Sequence, residues 1–319
     1  SADYFLATST TATSTFSGAV GIGTTSPLAK LTVVDGGILA SGTLGDTPIS
    51  GAGTRLMWIP AKRAFRAGSV TGTQWDDINI GLNSIAVGQD VIASTNSSFA
   101  FGLSSSALGI ASFAGGLSSE ATTDYSFAFG QGVQAANYGA FATGFNIGLN
   151  KIKASGQGSF AGGAISITDA SSEITASGKG SFAWGSILTD GENIIASGIG
   201  SMAVGSNVSA TANYAYAFGT GFTNSTASSF AVGFGQKDFG VESGNVYSYG
   251  NFNVSDGKNI ILGTGKLGVG TSSPWAFLSV EGSTQAAAGT PLFAVASSTP
   301  TATTTVFMID GNGNVGIGT

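Results

Sequence analysis

A five-residue phrase that occurs ten times between Ser84 and Gly233 constrains the fold of this chain more than any other feature. Each copy reads small residue, large apolar residue, alanine, any residue, glycine. Neighbouring copies lie 14 residues apart, except at three central steps of 19, 22 and 20 residues. A fixed period in a glycine-rich chain predicts a solenoid, in which each repeat contacts mainly its neighbours. The repeated alanines and glycines are Ala86 and Gly88, Ala100 and Gly102, Ala114 and Gly116, Ala128 and Gly130, Ala142 and Gly144, Ala161 and Gly163, Ala183 and Gly185, Ala203 and Gly205, Ala217 and Gly219, and Ala231 and Gly233.

A second short apolar stretch lies in each repeat, with an alanine seven residues before the alanine of the phrase. Its clearest copies are VIAS at 91–94, IKAS at 152–155, ITAS at 174–177 and IIAS at 194–197. Glycine, serine and asparagine, which favour turns, separate the two stretches. Each repeat therefore predicts two strands. Stacking of the repeats predicts an all-β fold, a parallel β-roll (solenoid) of about ten 14-residue coils with little or no helix.

The phrase has one bulky face and one small face, because side chains alternate along a strand. Its serine, alanine and glycine share the small face. We expect the large residues to fill the interior, together with the valine and isoleucine of the second strand. The small face would then point outward and pack against a copy of itself around a symmetry axis. The large residues are Ile85, Phe99, Phe113, Phe127, Phe141, Phe160, Phe182, Met202, Tyr216 and Phe230.

Composition excludes several classes of function. The chain contains no cysteine and no histidine, which removes thiolate chemistry, the usual zinc sites and every histidine-based triad. Charged residues form only 9% of the chain and the net charge is -6, which argues against a nucleic-acid partner. No apolar run approaches the roughly 18 residues of a membrane-spanning helix. We therefore expect no catalytic residue, no cofactor, no metal site and no transmembrane segment.

The phrases SIAVG at 84–88, SFAFG at 98–102 and 126–130, and SFAVG at 229–233 resemble the repeats of a known family of surface proteins. They are similar to the head of YadA-type trimeric autotransporter adhesins, over roughly residues 81–240. The resemblance implies a left-handed parallel β-roll, a homotrimer, and an extracellular location on a bacterial cell surface. It also implies that the chain binds copies of itself and a cell-surface receptor, a matrix protein or a glycan.

The three longer repeats carry their additional residues on one side of the coil. The insertions follow the glycine of the phrase and occupy about 145–153, 163–175 and 185–195, because the second-strand alanine keeps its distance from the phrase alanine. Stacked insertions form a lobe, where repeat proteins often bind partners. Two interpretations stay open: a receptor- or glycan-contact surface, or a solvated shoulder that blocks edge-to-edge association. The candidate contact residues are Lys151, Lys153, Asp169, Glu173, Asp190 and Glu192.

A second repeat frames the roll. VGIGTTSPLAKLTV at 20–33 recurs as LGVGTSSPWAFLSVEG at 267–282, and VGIGT stands at 315–319. These phrases resemble segments of phage tail fibres and of long bacterial surface proteins, which implies a modular fibre. The predicted domains are a β-rich connector with the roll cap at 1–80, the β-roll at 81–240, and a second β-rich connector at 241–319 that ends inside a further repeat.

Basic and aromatic residues concentrate just before the roll. Residues 55–66 contain four of the eleven basic residues of the chain. Such a mixture suits a nucleic-acid or glycan platform, or a cap on the first coil, which solenoid ends require. We favour the cap, with arginine and aspartate paired across a trimer contact and aromatic residues covering the first coil. The residues concerned are Arg55, Trp58, Lys62, Arg63, Phe65, Arg66, Trp75, Asp76 and Asp77.

These features predict a non-enzymatic segment of a homotrimeric extracellular fibre, which acts as a rigid spacer and as an adhesive surface. One alternative is a segment of a viral tail fibre, located on the virion, that attaches to a host. Another is a glycan-cleaving β-solenoid enzyme, which needs a pair of carboxylates in a groove. Within the insertions the candidates for such a pair are Asp169, Glu173, Asp190 and Glu192.

Overall fold

In the structure, a computed structural model, the regular secondary structure of the described residues is almost entirely strand. The chain forms two compact units, 1–250 and 251–319. Two three-residue 3-10 helices, Pro60–Lys62 and Asp77–Asn79, accompany the strands. Among the described residues no helix has the length and the apolar character needed to cross a membrane. The described residues are 16–148, 152–168, 171–236, 239–242, 245–248, 267–269, 275–280, 291–299, 302–310 and 312–318.

Four strands precede the repeats: β1 Val20–Ile22, β2 Leu31–Val33, β3 Gly53–Ile59 and β4 Ala64–Val70. The first two form a separate parallel pair, and the next two form an antiparallel hairpin. β4 then pairs in parallel with the first strand of the repeats. The hairpin is therefore continuous with the sheet that the repeats form.

The ten copies of the phrase lie on ten strands, which we call the motif strands. Each pairs in parallel with the next, alanine opposite alanine and glycine opposite glycine. The result is a long, mostly parallel, solenoid-like sheet, as the period predicts. The motif strands are β5 Ile85–Gln89, β7 Phe99–Leu103, β9 Phe113–Leu117, β11 Phe127–Gln131, β13 Phe141–Asn146, β15 Phe160–Ile165, β17 Phe182–Ile187, β19 Met202–Ala210, β20 Tyr216–Asn224 and β21 Phe230–Phe234.

The second apolar stretch of each repeat forms a shorter strand, and we call these the companion strands. They also pair in parallel with one another, again alanine opposite alanine. In the last repeats the companion stretch is the second half of β19 and of β20. The separate companion strands are β6 Ile92–Ala93, β8 Ser106–Ala107, β10 Glu120–Ala121, β12 Val133–Ala135, β14 Ile152–Ala154, β16 Glu173–Ala176 and β18 Asn193–Ala196.

The interior of the repeats contains the small side chains. The ten phrase alanines are fully buried, and the companion alanines are buried with them. The serines of the phrase are buried too. In six copies the hydroxyl donates to the carbonyl three residues earlier, as Ser98 Oγ does to Thr95 O at 2.7 Å, whereas Ser181 Oγ and Ser201 Oγ are buried without a hydrogen-bond partner. As predicted, the valines and isoleucines that open the second stretch also face inward. These are Val91, Val133, Ile152, Ile174, Ile194 and Val208.

The prediction that the large residues of the phrase fill this interior is wrong. They point outward and are half-buried or exposed, while the small face points inward. The reason is the thickness of the repeat. Fourteen residues that make two strands and two tight turns leave room between the strands for a methyl or a hydroxymethyl group opposite a valine or isoleucine, and a phenyl ring in every repeat does not fit. One ring is accommodated in a late repeat, where Phe222 is buried at the position that Val208 occupies in the preceding repeat. The surface available for association with another chain is therefore the face that carries the large side chains.

The glycine of the phrase is required for two reasons, its backbone conformation and its close approach to the next motif strand. Gly130 has a φ of 143°, a conformation that residues with a side chain rarely adopt. A Cβ added to it would lie 1.9 Å from the carbonyl oxygen of Gly144 on the next motif strand. The backbones of neighbouring repeats therefore approach one another at this point more closely than any side chain permits.

The three lengthened repeats differ from the others just after the glycine. In a short repeat a residue of positive φ, such as Ser104 at 55°, turns the chain there. The lengthened repeats instead continue to Asn146, Ile165 and Ile187, whose side chains are buried. The additional residues lie between motif strand and companion strand, on the predicted side, but part of each insertion extends the sheets. The connecting segments are 147–151, 166–172 and 188–192.

Antiparallel strands follow the last motif strand. β21 pairs with β22 Phe239–Glu242, which pairs with β23 Asn245–Ser248. The second unit contains one parallel pair, which repeats the arrangement of β1 and β2, and one antiparallel sheet. Its strands are β24 Leu267–Val269, β25 Leu278–Val280, β26 Pro291–Thr299, β27 Ala302–Asp310 and β28 Val315–Ile317.

Candidate functional site: an uncharged aromatic face

The outward side chains of the motif strands form one continuous surface, which we call the motif face. Its first row consists of the large residues of the phrase, one per repeat. The rings of five consecutive phenylalanines stack with centroids 4.5 to 4.9 Å apart and interplanar angles of 2° to 11°. This spacing is the separation of paired strands, about 4.8 Å, because each ring follows its own backbone in register. The stacked rings are Phe113, Phe127, Phe141, Phe160 and Phe182.

A second row lies beside the first, at the residue between alanine and glycine. Phe101 lies over Gly115, where a Cβ would come 2.5 Å from its ring, and Trp184 lies over Gly162 in the same way at 2.4 Å. Phe129 is 43% exposed and Trp184 is 41% exposed. Glycine in one repeat therefore makes room for a large ring of a neighbouring repeat. The second row remains substantially open to solvent in a single chain.

The motif face carries no charge. All ten motif strands are described, and none contains Asp, Glu, Lys or Arg. A surface of this kind can pack against another apolar surface without burying an unpaired charge, which is the costly step in most associations. A contiguous exposed apolar surface is typical of an interaction site, which makes the motif face the candidate site of this chain.

The opposite side of the repeats is polar. The outward residues of the companion strands are mostly Glu, Gln, Lys, Thr and Ser, and Gln134 Nε2 donates to Glu120 Oε2 at 2.7 Å across two neighbouring strands. Ile92 and Ile195 are the apolar exceptions. The repeats therefore have one side suited to protein contact and one side suited to water.

The residues predicted to form a contact lobe lie partly in strands and partly in connecting segments. Lys153 lies on β14, half-buried, between Gln134 and Thr175 of the neighbouring strands. Glu173 begins β16, and its N–H donates to Asn193 Oδ1 at 2.9 Å. Both residues are thus parts of the sheet, whereas the prediction assigned them to loops. Lys151 and Asp169 lie outside the described residues.

The other two predicted contact residues belong to the third lengthened repeat. Asp190 is exposed in the segment 188–192, and Glu192 Oε2 accepts a hydrogen bond from Ser206 Oγ at 3.0 Å. Within the part of the chain that the structure describes, no three His, Cys, Asp or Glu residues come together in a way that could hold a metal ion. The carboxylates of Glu173, Asp190 and Glu192 thus remain candidates for contact with a partner. Their geometry does not indicate which kind of partner they would bind.

The side chain of Arg66 fills the interior at the start of the first repeat. It occupies the position opposite Ala86, where the motif strands carry alanine, and it is fully buried. Its guanidinium donates to the carbonyl oxygens of Phe65, Ser84 and Ala93 and to Ser84 Oγ, at 2.9 to 3.1 Å. Burial lowers the pKa of Arg66 to about 10. The indole of Trp75 is buried in the same core, and its Nε1 donates to Val91 O at 2.9 Å.

Other basic side chains of the cap also make polar contacts with their own chain. Lys62 Nζ lies 3.1 Å from Asp77 Oδ1, and Thr47 Oγ1 donates to the same oxygen at 2.7 Å. Arg63 Nε donates to Asn83 Oδ1 at 2.6 Å. Because it is buried in its own chain, Arg66 cannot take part in the predicted pairing of arginine with aspartate across a trimer contact, and that pairing stays a prediction for Arg55 and Arg63. The basic side chains hold the hairpin and the turn at 76–80 onto the first repeat of their own chain.

Replacing Arg66 with alanine is expected to lower the free energy of unfolding by about 3 kcal/mol, because it leaves a cavity in the first repeat. Arg63→Ala removes a charge of the same sign from an exposed position and is the matched control, with an expected change of about 0.5 kcal/mol. Chemical denaturation at one fixed protein concentration measures both variants. Equal effects of the two substitutions would contradict the assignment of Arg66 as the residue that fills the end of the roll.

No known family profile matches this chain, and no curated protein is significantly similar to it.

Proposed function

We propose that this chain is a structural segment of a homotrimeric extracellular fibre. In this proposal each chain contributes a left-handed β-roll of ten coils, and the three motif faces pack around a common axis. The observation that carries the proposal is the motif face itself, which is long, aromatic and without charge. In a closed ring each subunit contributes the same surface, so one repeated sequence serves all three contacts. The resemblance of SIAVG and SFAFG to trimeric adhesin heads supports the number three.

The mechanical role follows from the strand pairing. Each motif strand between the first and the last pairs with a neighbour on both sides, and the glycine contacts bring these backbones close together. Packing the motif faces would add burial of the second aromatic row, and each aromatic pair contributes about 0.5–1.5 kcal/mol beyond the area that it buries. Local opening would then be costly along the whole roll. Such a segment serves as a rigid spacer.

We assign the adhesive role to the surfaces that do not face the symmetry axis of the proposed trimer. With the motif faces inside, the companion strands and the described parts of the connecting segments, 147–148, 166–168, 171–172 and 188–192, would lie on the outside of the assembly. A cell-surface receptor, a matrix protein or a glycan would bind there. We propose no catalytic function and no cofactor for the segment.

A single cysteine reports directly on the motif face, because the chain has none of its own. Val87 lies in the second row of the motif face, and Thr223 is exposed on the companion side of β20. In Val87→Cys we expect the thiol to react at least about tenfold more slowly with a water-soluble reagent than in Thr223→Cys, and to form disulfides between chains on oxidation. Equal reactivity of the two thiols, with no disulfide between chains, would contradict the proposal.

A further inference from the structure

The two connector phrases fold into the same unit. VGIGTTSPLAKLTV at 20–33 and its second copy at 267–280 each form a parallel pair of three-residue strands, with Val20 opposite Leu31 and Leu267 opposite Leu278. The offset of eleven residues is the same in both. We call each of these units a connector coil, since it resembles one isolated turn of a solenoid.

The turn before the second strand is also shared by the two connector coils. The N–H of Ala29 donates to Thr32 Oγ1 at 3.1 Å, and the N–H of Ala276 donates to Ser279 Oγ at 3.0 Å. In both coils the hydroxyl lies three residues after the alanine, so the same local geometry recurs. The repeated sequence therefore forms a repeated structure, and we expect the two coils to have the same role.

Both connector coils expose large apolar side chains. Leu28 is 97% exposed in the first coil, and Trp275, which stands at the corresponding position, is 85% exposed in the second. Phe277 is 82% exposed, and Leu31 and Leu278 are each more than half exposed. Two of these three positions are apolar in both copies, since Leu28 corresponds to Trp275 and Leu31 to Leu278, while Phe277 corresponds to Lys30. If the exposure of Leu28 were a matter of chance, a large apolar side chain would not be exposed at the corresponding position of the second coil.

A connector coil cannot be stable by itself. An isolated two-stranded sheet is marginal in water, and parallel strands are normally covered on both faces. Within the described residues, neither pair hydrogen-bonds to a third strand. Each coil therefore needs a partner surface that covers its apolar side chains.

We propose that this partner is the same connector coil of other copies of this chain, so that each phrase forms its own self-association module. The first coil is almost uncharged: Lys30 is the only charged residue from Val20 to Val34, and its Nζ donates to Ser17 O at 3.2 Å. A surface of this kind is complementary to another apolar surface, and a copy of itself supplies one. The inference rests on the proposed trimer in one respect, since a roll assembled around an axis holds identical coils together at high effective concentration.

Single cysteines in the full chain test this proposal. Leu28→Cys and Trp275→Cys are expected to form disulfides between chains on mild oxidation, in a yield that does not fall when the protein is diluted tenfold. Thr25→Cys, an exposed polar position in the same coil, is the matched control and should link far less. Non-reducing electrophoresis measures the yield. A single cysteine joins two chains, so a covalent dimer is the product to quantify.

The outcomes separate this inference from the proposed function. If Val87→Cys links chains and Leu28→Cys links no better than Thr25→Cys, the inference is overturned and the trimer of the roll stands. If Leu28→Cys links and Val87→Cys does not, the inference is supported and the proposed packing of the motif face is overturned. If none of them links, both are overturned.

A second variant gives a readout without a thiol. Lys30 is the first Lys or Arg in the chain, and the next is Arg55, so trypsin cleavage at the first connector coil produces a distinct fragment. Leu28→Asp is expected to raise the rate of cleavage after Lys30 at least about tenfold, because it prevents the coils from packing together. Thr25→Asp should leave the rate within about twofold of the parent chain. Equal rates for the two variants would contradict the proposal.

Discussion

Gly130→Ala is expected to lower the free energy of unfolding by about 4 kcal/mol. The added methyl group would lie 1.9 Å from the carbonyl oxygen of Gly144, and the backbone at Gly130 has a φ of 143°. Strain of this kind costs about 1–3 kcal/mol, and forcing a group into a tightly packed site costs a further 1–3 kcal/mol or so. The backbone cannot yield locally, because the same close approach recurs at the glycines of the adjacent repeats. Denaturant titration at constant protein concentration measures the loss.

Gly139→Ala is the matched control for that prediction. Gly139 lies on the same repeat and has a φ of 61°, but a Cβ added to it meets nothing within 4 Å. Only the left-handed backbone then matters, at about 1 kcal/mol. If Gly139→Ala and Gly130→Ala lowered the stability equally, the contact between repeats at the glycine of the phrase would not be what requires this residue.

Phe129→Glu is expected to separate the assembly into single chains. The ring of Phe129 lies in the second row of the motif face and is 43% exposed in one chain, so its replacement removes little of the packing within that chain. In the assembly the new carboxylate would be buried against an uncharged face, and an uncompensated buried charge costs about 3–5 kcal/mol. Each of the three chains carries the substitution, so three such costs weaken the free energy of association of one assembly. The molar mass in solution measures it.

The control for Phe129→Glu introduces the same carboxylate on the other side of the repeats. Thr223 is an exposed outward residue of β20 on the companion side. Thr223→Glu should leave the molar mass unchanged. Should both variants or neither of them dissociate, the motif face would not be the surface that holds the chains together.

The repeat architecture could be predicted because the spacing of the alanines determines it. Ala154 and Ala161 keep their distance of seven residues in a lengthened repeat, so the position of the insertion follows from counting. Which face is inward does not follow from alternation, since alternation defines two faces without orienting them. A signal was nevertheless present: Phe99 and Phe101 share one face of a single strand, and two rings per repeat exceed the interior of a 14-residue coil.

The remaining errors have physical causes as well. The connecting segments are shorter than predicted because Ile165 and Ile187 extend the sheet into the core, and sequence alone did not distinguish them from loop residues. Arg66 was predicted only as one of the basic residues of the cap, where arginine and aspartate were expected to pair across a trimer contact, and its burial was not predicted. Its role depends on the register of the hairpin, which places it opposite Ala86, and on the free carbonyl oxygens at the end of the roll.

The molar mass of the unmodified chain in dilute solution tests the central claim most directly. Multi-angle light scattering coupled to size-exclusion chromatography should give about 94 kDa, the mass of three chains of 31.4 kDa each. The value should not change with salt, because the motif strands carry no charge to be screened. A mass near 31.4 kDa would mean that the motif face stays exposed in solution, and it would contradict the account.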